Sequence, residues 1–142
     1  MLGMKTYSQG YIDACRARVD AGVRAYRKQA GKSLSEQFEH RFFNDQVLLL
    51  DYMFVHRLTG IEGKDGNPLN EVRVLCNSIR LNKGKLQVDK LRGWPNSAGS
   101  GIKLPPEKSV LKLEPGAAVK LTEADFVRLA KAFFDELEKK FS

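Results

Sequence analysis

The sequence predicts a mainly α domain of the α+β kind. Four helices are expected, with a small antiparallel β-sheet or hairpin inserted between the third and fourth. Three observations carry this. Apolar residues recur at spacings of three and four along four long segments. That periodicity fails between residues 85 and 121, where short stretches alternate or carry turn signals. Finally, 142 residues with 42% hydrophobic and 29% charged content suit a single soluble core, so residues 1–142 are read as one globular domain.

The first helix is expected from about Ser8 to Ala30. Ile12, Cys15, Val19, Val23 and Tyr26 form one apolar stripe, with Arg16, Arg18, Arg24, Arg27 and Lys28 off it. Gly31 suits its end, and Ser33 or Ser35 is placed to cap the next helix. The second helix, about Glu36 to Thr59, is apolar on two faces. Phe38, Phe42, Leu49 and Met53 share one, and Phe43, Val47, Leu50 and Phe54 the other. Such a helix is normally central to a bundle, so it is taken as the core helix.

The third helix should span Pro68 to about Asn82, with Leu69, Val72, Leu75, Cys76 and Ile79 inward. The fourth, Glu123 to Phe141, has the clearest pattern: Phe126, Leu129, Ala130, Phe133, Leu137 and Phe141. Thr122 and Asp125 approximate a capping box at its start, and Lys139 and Lys140 suit its C-terminal dipole. Between these helices, "KLQVDKL" partly alternates and "SVLKL" and "AVKL" read as short strands around the turn "EPGA". "RGWPNSAGSG" reads as a loop, and its Trp94 could stack on a base or fold onto the sheet.

Composition excludes several classes. The longest apolar runs are four residues, Val47 to Leu50 and Tyr52 to Val55, far short of the roughly 18–20 that cross a bilayer. No secretory signal pattern opens the chain, and Cys15 and Cys76 lack CxxC spacing. A cytoplasmic protein with reduced, packed cysteines and no membrane association is the expectation. Two Cys and two His, scattered at 15, 40, 56 and 76, give no zinc spacing. No phosphate-loop, dinucleotide or GxSxG motif occurs, so no cofactor and no metal are expected. The net charge of +7 is unevenly spread. Residues 1–41 carry eight basic against four acidic residues, and residues 80–112 eight against two. These two basic zones could draw a nucleic acid by its phosphates, though no recognition motif supports them.

Chemistry concentrates on the second and third helices. His40, Asn44 and Asp51 fall on one polar stripe of the core helix, where a buried carboxylate needs a partner. Asn70, Arg73, Asn77 and Arg80 line the polar side of the third helix. A short connector should make the two helices antiparallel, which predicts an Asp51–Arg73 ion pair with Asn44 and Asn77 as hydrogen-bonding neighbours. His56 and Arg57 reach the same end.

The connector "EGKDGNPLNE" is explained mainly by turn and cap chemistry. Asp65-Gly66 turns the chain, Asn67 caps, Pro68 opens the helix and Glu71 suits its first turn. A calcium loop fails, because counting from Asp65 puts Leu69 and Cys76 at ligand positions. Glu62, Lys64 and Asn70 are left without a structural task, and Lys64 beside a helix N-terminus could hold an anionic small molecule.

The stretches "FVHRLTGIEGKDGNPLNEVRVLCNS", "PEKSVLKL" and "LTEADFVRLAKAFFDELE" resemble a family of uncharacterised bacterial proteins over roughly residues 38–141. The resemblance implies a bacterial source and carries no activity, ligand or fold. The functional expectation is a non-enzymatic binding or assembly module. It would self-associate as a homo-oligomer, because the two apolar faces of the core helix need more cover than three helices supply. A polar ligand site between helices two and three would use Asn44, Asp51, His56, Arg57, Lys64, Asn70, Arg73 and Asn77. The alternatives are a small-molecule enzyme using Asp51, Arg73, His56 and Lys64, and a nucleic-acid-binding accessory protein acting through the basic zones.

Overall fold

A computed structural model describes residues 3–30, 34–88 and 102–142. Gly31, Ser33, Trp94 and the stretch "RGWPNSAGSG" lie outside these residues. Five α-helices form among them: α1 (Gln9–Ala30), α2 (Glu36–Met53), α3 (Thr59–Glu62), α4 (Pro68–Leu81) and α5 (Glu123–Phe141). A 3-10 turn spans Pro106–Lys108.

The starts are written locally. The Ser35 side chain accepts from the Phe38 amide at 3.1 Å at the head of α2. Asn67 and Asn70 make a reciprocal capping box on α4, and Thr122 and Asp125 do the same on α5. Pro68 takes the first helical position, where its missing N–H costs nothing.

The stripe Ile12, Cys15, Val19, Val23 and Tyr26 turns α1 inward. It lies against α2 and α5, and both of those pack on α4. The interior is aromatic: Phe43, Phe54, Phe126 and Phe133 are fully buried. Phe43 meets Phe126 at 5.5 Å between ring centroids, and Phe54 meets Phe133 at 5.7 Å.

Three expectations are corrected. First, no β-strand, sheet or hairpin forms among the described residues; there are only isolated bridges, Met4 with Arg57 and Lys85 with Ala118. The "EPGA" turn does form, with Gly116 at φ +85°, but its flanking segments do not pair with each other. Residues 116–119 make three backbone hydrogen bonds with residues 84–86, and side chains borne by the helices take other backbone groups. Glu71 of α4 accepts from the Ser109 hydroxyl (2.8 Å) and from the Val110 and Leu111 amides (2.7 and 3.0 Å). Asn44 of α2 donates to the Val119 carbonyl at 2.7 Å and accepts from the Leu121 amide at 3.2 Å. Ser78 of α4 exchanges two hydrogen bonds with the backbone of Gln87. Lys112 at φ +55° also breaks the extended run that "SVLKL" would need.

Second, the core helix stops at Met53 rather than Thr59, and the one-turn α3 follows separately, giving five helices rather than four. The backbone of residues 56–58 is claimed by the N-terminal segment. The Met4 amide donates to the His56 carbonyl at 2.6 Å, and the Leu58 amide donates to the Met4 carbonyl at 3.1 Å. Third, α4 is buried more completely than α2, although α2 packs on three helices, α1, α4 and α5. From Leu69 to Ser78 every residue but Arg73 is buried. Residues 109–111 dock on α4 through Glu71. The second apolar face of α2 is only half sheltered: Tyr26 packs on Phe42, yet Phe38 stays 45% exposed.

Candidate functional site

Where α2 ends, four charged side chains gather. The Arg57 side chain is fully buried. Its Nε donates to Glu62 Oε1 at 2.5 Å, and its Nη1 donates to Asp51 Oδ1 at 3.2 Å and the Phe54 carbonyl at 3.1 Å. Its Nη2 donates to the Leu69 carbonyl at 3.3 Å, and the guanidinium sits 5.4 Å from the Phe133 ring centroid. Arg73 Nη2 lies 3.3 Å from Glu62 Oε1 and 4.0 Å from Asp51 Oδ1. Asp51 and Arg73 thus meet at the outer limit of an ion pair, and Asp51 is held more closely by Arg57.

Burial is the largest influence on Arg57 and pulls its pKa down. The carboxylates of Glu62 and Asp51 outweigh it and hold the group above its ordinary value. Two cations and two anions leave the cluster neutral. Such a closed network fixes register between elements more than it offers a free charge.

The connector 62–71 feeds this network. Asn70, fully buried, donates to Glu62 Oε2 (3.2 Å) and the Gly63 carbonyl (2.9 Å) while accepting from the Gly66 and Asn67 amides. Lys140 of α5 donates to the Glu62 carbonyl at 3.0 Å. The Asn67 side chain holds Asp65, and that hydrogen bond brings the Asp65 carboxyl below its ordinary range. Gly66 has φ +96°, and a Cβ there would stand 2.8 Å from the Lys103 carbonyl oxygen, so the turn admits only glycine. Glu62 and Asn70 therefore have structural partners. Lys64 is half-buried, and its carbonyl accepts from the Lys103 amide at 3.0 Å.

The remaining candidates lie elsewhere. Asn44 and His40 hold the segment before α5, His40 Nδ1 lying 3.2 Å from the Leu121 carbonyl. Asn77 is buried, and its Nδ2 has no hydrogen-bond partner, as is also true of Arg73 Nε and the Tyr7 hydroxyl. His56 is exposed and lines the larger cavity.

That cavity, about 650 Å³, is walled by the N-terminal segment, the first turn of α1 and the end of α2. Tyr7, Tyr11, Tyr52, Met4, Val55 and His56 line it, and no Lys, Arg, Asp or Glu does. Tyr7 and Tyr11 stack at 5.9 Å, and both set their edges against Phe54. Tyr11 is 43% exposed, and its hydroxyl donates to the Met53 carbonyl at 2.6 Å. Burial first, then Cys15 beside it, pushes the Tyr11 pKa up to about 12. Tyr52 is 74% exposed. On its other flank lies a second groove of about 440 Å³, lined by Leu48, Leu49, Asp51 and Arg80 and sharing Tyr52 and Val55.

Sequence periodicity missed this face. Its available signal was two tyrosines, Tyr11 and Tyr52, lying off the apolar stripes of their helices. Among the described residues, no group of three or more His, Cys, Asp or Glu could hold a metal ion, and no helix is long and apolar enough to cross a membrane. Cys15 and Cys76 are both free and buried. The chain matches no protein-family model, and comparison with curated proteins and with solved structures found no significant match.

Proposed function

We propose that this chain is a non-enzymatic binding and assembly module that associates with a second copy of itself through the tyrosine-lined face. One observation carries the reading. Of the seven large apolar side chains left exposed among the described residues, four (Met4, Tyr11, Tyr52 and Val55) line one cavity. Scattered exposed apolar residues need no explanation, but a contiguous set does. The lining is free of formal charge in a chain with 24 basic and 17 acidic residues. Interface cores share that depletion of charge and that enrichment in tyrosine and methionine.

The charged cluster at the end of α2 supports the same reading. Its two cations and two anions pair with one another, so the charged residues of this region serve the frame that carries the face. Sedimentation velocity across a concentration series tests the proposal. The wild-type mass should rise with concentration. Tyr52→Lys should abolish the rise by placing a desolvated charge at the centre, while Val127→Lys, on exposed α5 surface, should leave it intact. A wild type that stays monomeric to about 1 mM refutes self-association, and a Tyr52→Lys variant that associates like the wild type refutes the face.

A further inference from the structure

We infer that residues 3–7 form a strap that docks and releases as one unit on a frame that stays folded, and that the tyrosine-lined cavity is complete only while the strap is docked. The inference goes beyond self-association, because it holds whatever occupies the cavity.

The strap is lightly held. Among the described residues, three backbone hydrogen bonds tie it to the frame. The Met4 amide donates to the His56 carbonyl (2.6 Å), the Leu58 amide donates to the Met4 carbonyl (3.1 Å), and the Tyr7 amide donates to the Phe141 carbonyl (2.6 Å). None of its residues is fully buried: Met4, Lys5 and Thr6 are exposed, and Gly3 and Tyr7 are half-buried. Tyr7 is the anchor, its ring centroid 5.0 Å from that of Phe54 and 5.9 Å from that of Phe141. Its hydroxyl, however, is buried without a partner, and burial raises the group above its ordinary pKa. Docking therefore desolvates a polar group that it does not satisfy. Fixing five residues also costs backbone entropy at each one.

The frame does not depend on these ties. Phe54 also packs on Phe133 and Phe134 of α5. The Arg57 side chain takes its hydrogen-bond partners from Asp51, Phe54, Glu62 and Leu69, none of them in the strap. The strap's own ties, by contrast, belong together. Met4 and Arg57 form an isolated bridge, and so short a pairing is marginal without a packed side chain beside it. Tyr7 is that side chain. The hinge is Ser8, which stays with α1: its hydroxyl accepts from the Tyr11 amide at 3.2 Å and its carbonyl from the Ile12 amide at 3.1 Å. On release Met4 and Tyr7 leave the cavity lining, while Tyr11, Tyr52 and His56 remain as an open face. Any occupant held by both walls binds the docked state and shifts the strap towards it.

Native-state amide exchange followed by NMR tests the strap, at concentrations where the chain is monomeric. The Met4, Tyr7 and Leu58 amides should share one protection factor, at least about 100-fold below those of Val74 and Leu75 in α4. Tyr7→Ala should lower the protection of Met4 and Leu58 together by about tenfold or more and leave Val74 and Leu75 unchanged. Met4→Pro, which removes the donor to His56 without touching the core, should loosen Tyr7 and Leu58 in the same way. Far-UV circular dichroism checks that the variants keep their helices. Protection at the three amides equal to that in α4 overturns release from a folded frame, as does loss of the helices in both variants. Unequal protection among the three, or a folded variant that loosens only its own end, overturns the single unit.

Discussion

Replacing Glu71 by alanine isolates what holds the non-helical third of this fold. The carboxylate is 1% exposed and accepts three hydrogen bonds, from the Ser109 hydroxyl and the Val110 and Leu111 amides, at 2.7 to 3.0 Å. A hydrogen bond to a charged group is worth roughly 1.5–3 kcal/mol. Val110 and Leu111 are only part-buried, so water can reach the abandoned amides and the three losses do not add in full. The net cost should be about 3–4 kcal/mol, a large share of the roughly 5–15 kcal/mol that stabilises a typical domain. Urea unfolding of Glu71→Ala should show it as a lowered midpoint. Glu71→Gln, which keeps one acceptor oxygen but turns an NH₂ towards donors, should fall between, near about 2 kcal/mol. Amide exchange supplies the local readout, with Val110 and Leu111 losing protection before the helices do. An alanine variant that loses less than about 1 kcal/mol, or keeps both amides protected, would refute the claim that this side chain stands in for a strand partner.

Three further expectations concern the frame. Glu62→Ala breaks a pair whose side chains are 0% and 5% exposed and leaves Arg57 under-compensated, so it should cost about 3–5 kcal/mol; a loss below about 1 kcal/mol in chemical unfolding would show that water compensates the cluster. Tyr7→Phe removes a buried hydroxyl that has no partner and should be neutral or stabilising by up to about 1 kcal/mol, and a clear drop in urea midpoint would mean the hydroxyl is satisfied after all. The Glu138 carboxyl is drawn below its ordinary value by hydrogen bonds from Arg16 and then Gln9. A depressed folded-state pKa means that the α1–α5 link contributes fully above the unfolded carboxylate range and fades as pH falls through the folded value. Carboxyl NMR titration should place the Glu138 midpoint below 4.5, and Arg16→Gln should move it upward.

The helices were legible because their information is local. Caps at Ser35, Asn67 and Thr122, and the stripes of α1 and α5, need only neighbouring residues to be read. The end of α2 was not, because its apolar period runs on past Met53; the groups that stop it belong to Met4, some fifty residues away in sequence. The supposed hairpin failed for a related reason. Alternation reports which side chains face inward, but it does not say whether a strand or an asparagine on a helix will take the backbone groups. At the candidate site, the polar stripe of α2 was visible, but it serves two separate places: Asn44 braces the segment before α5, and Asp51 joins the charged cluster. The tyrosine-lined face was hidden because two stretches distant in sequence, 4–11 and 52–56, build it and neither has a motif.

The docking of residues 109–121 by Glu71 and Asn44 has a consequence for how this chain can vary. A strand pair spreads its register over many positions on both partners. Here the address is written on two helices, and the segment answers mostly with main-chain atoms, which every residue but proline can offer. Apart from Gly116 at its turn and inward residues such as Ser109, Val110, Leu111, Leu113, Val119 and Leu121, its side chains should accept wide substitution. Positions 44 and 71 should accept almost none. A saturation scan would therefore show a tolerant ribbon governed by two intolerant residues on helices remote from it in sequence.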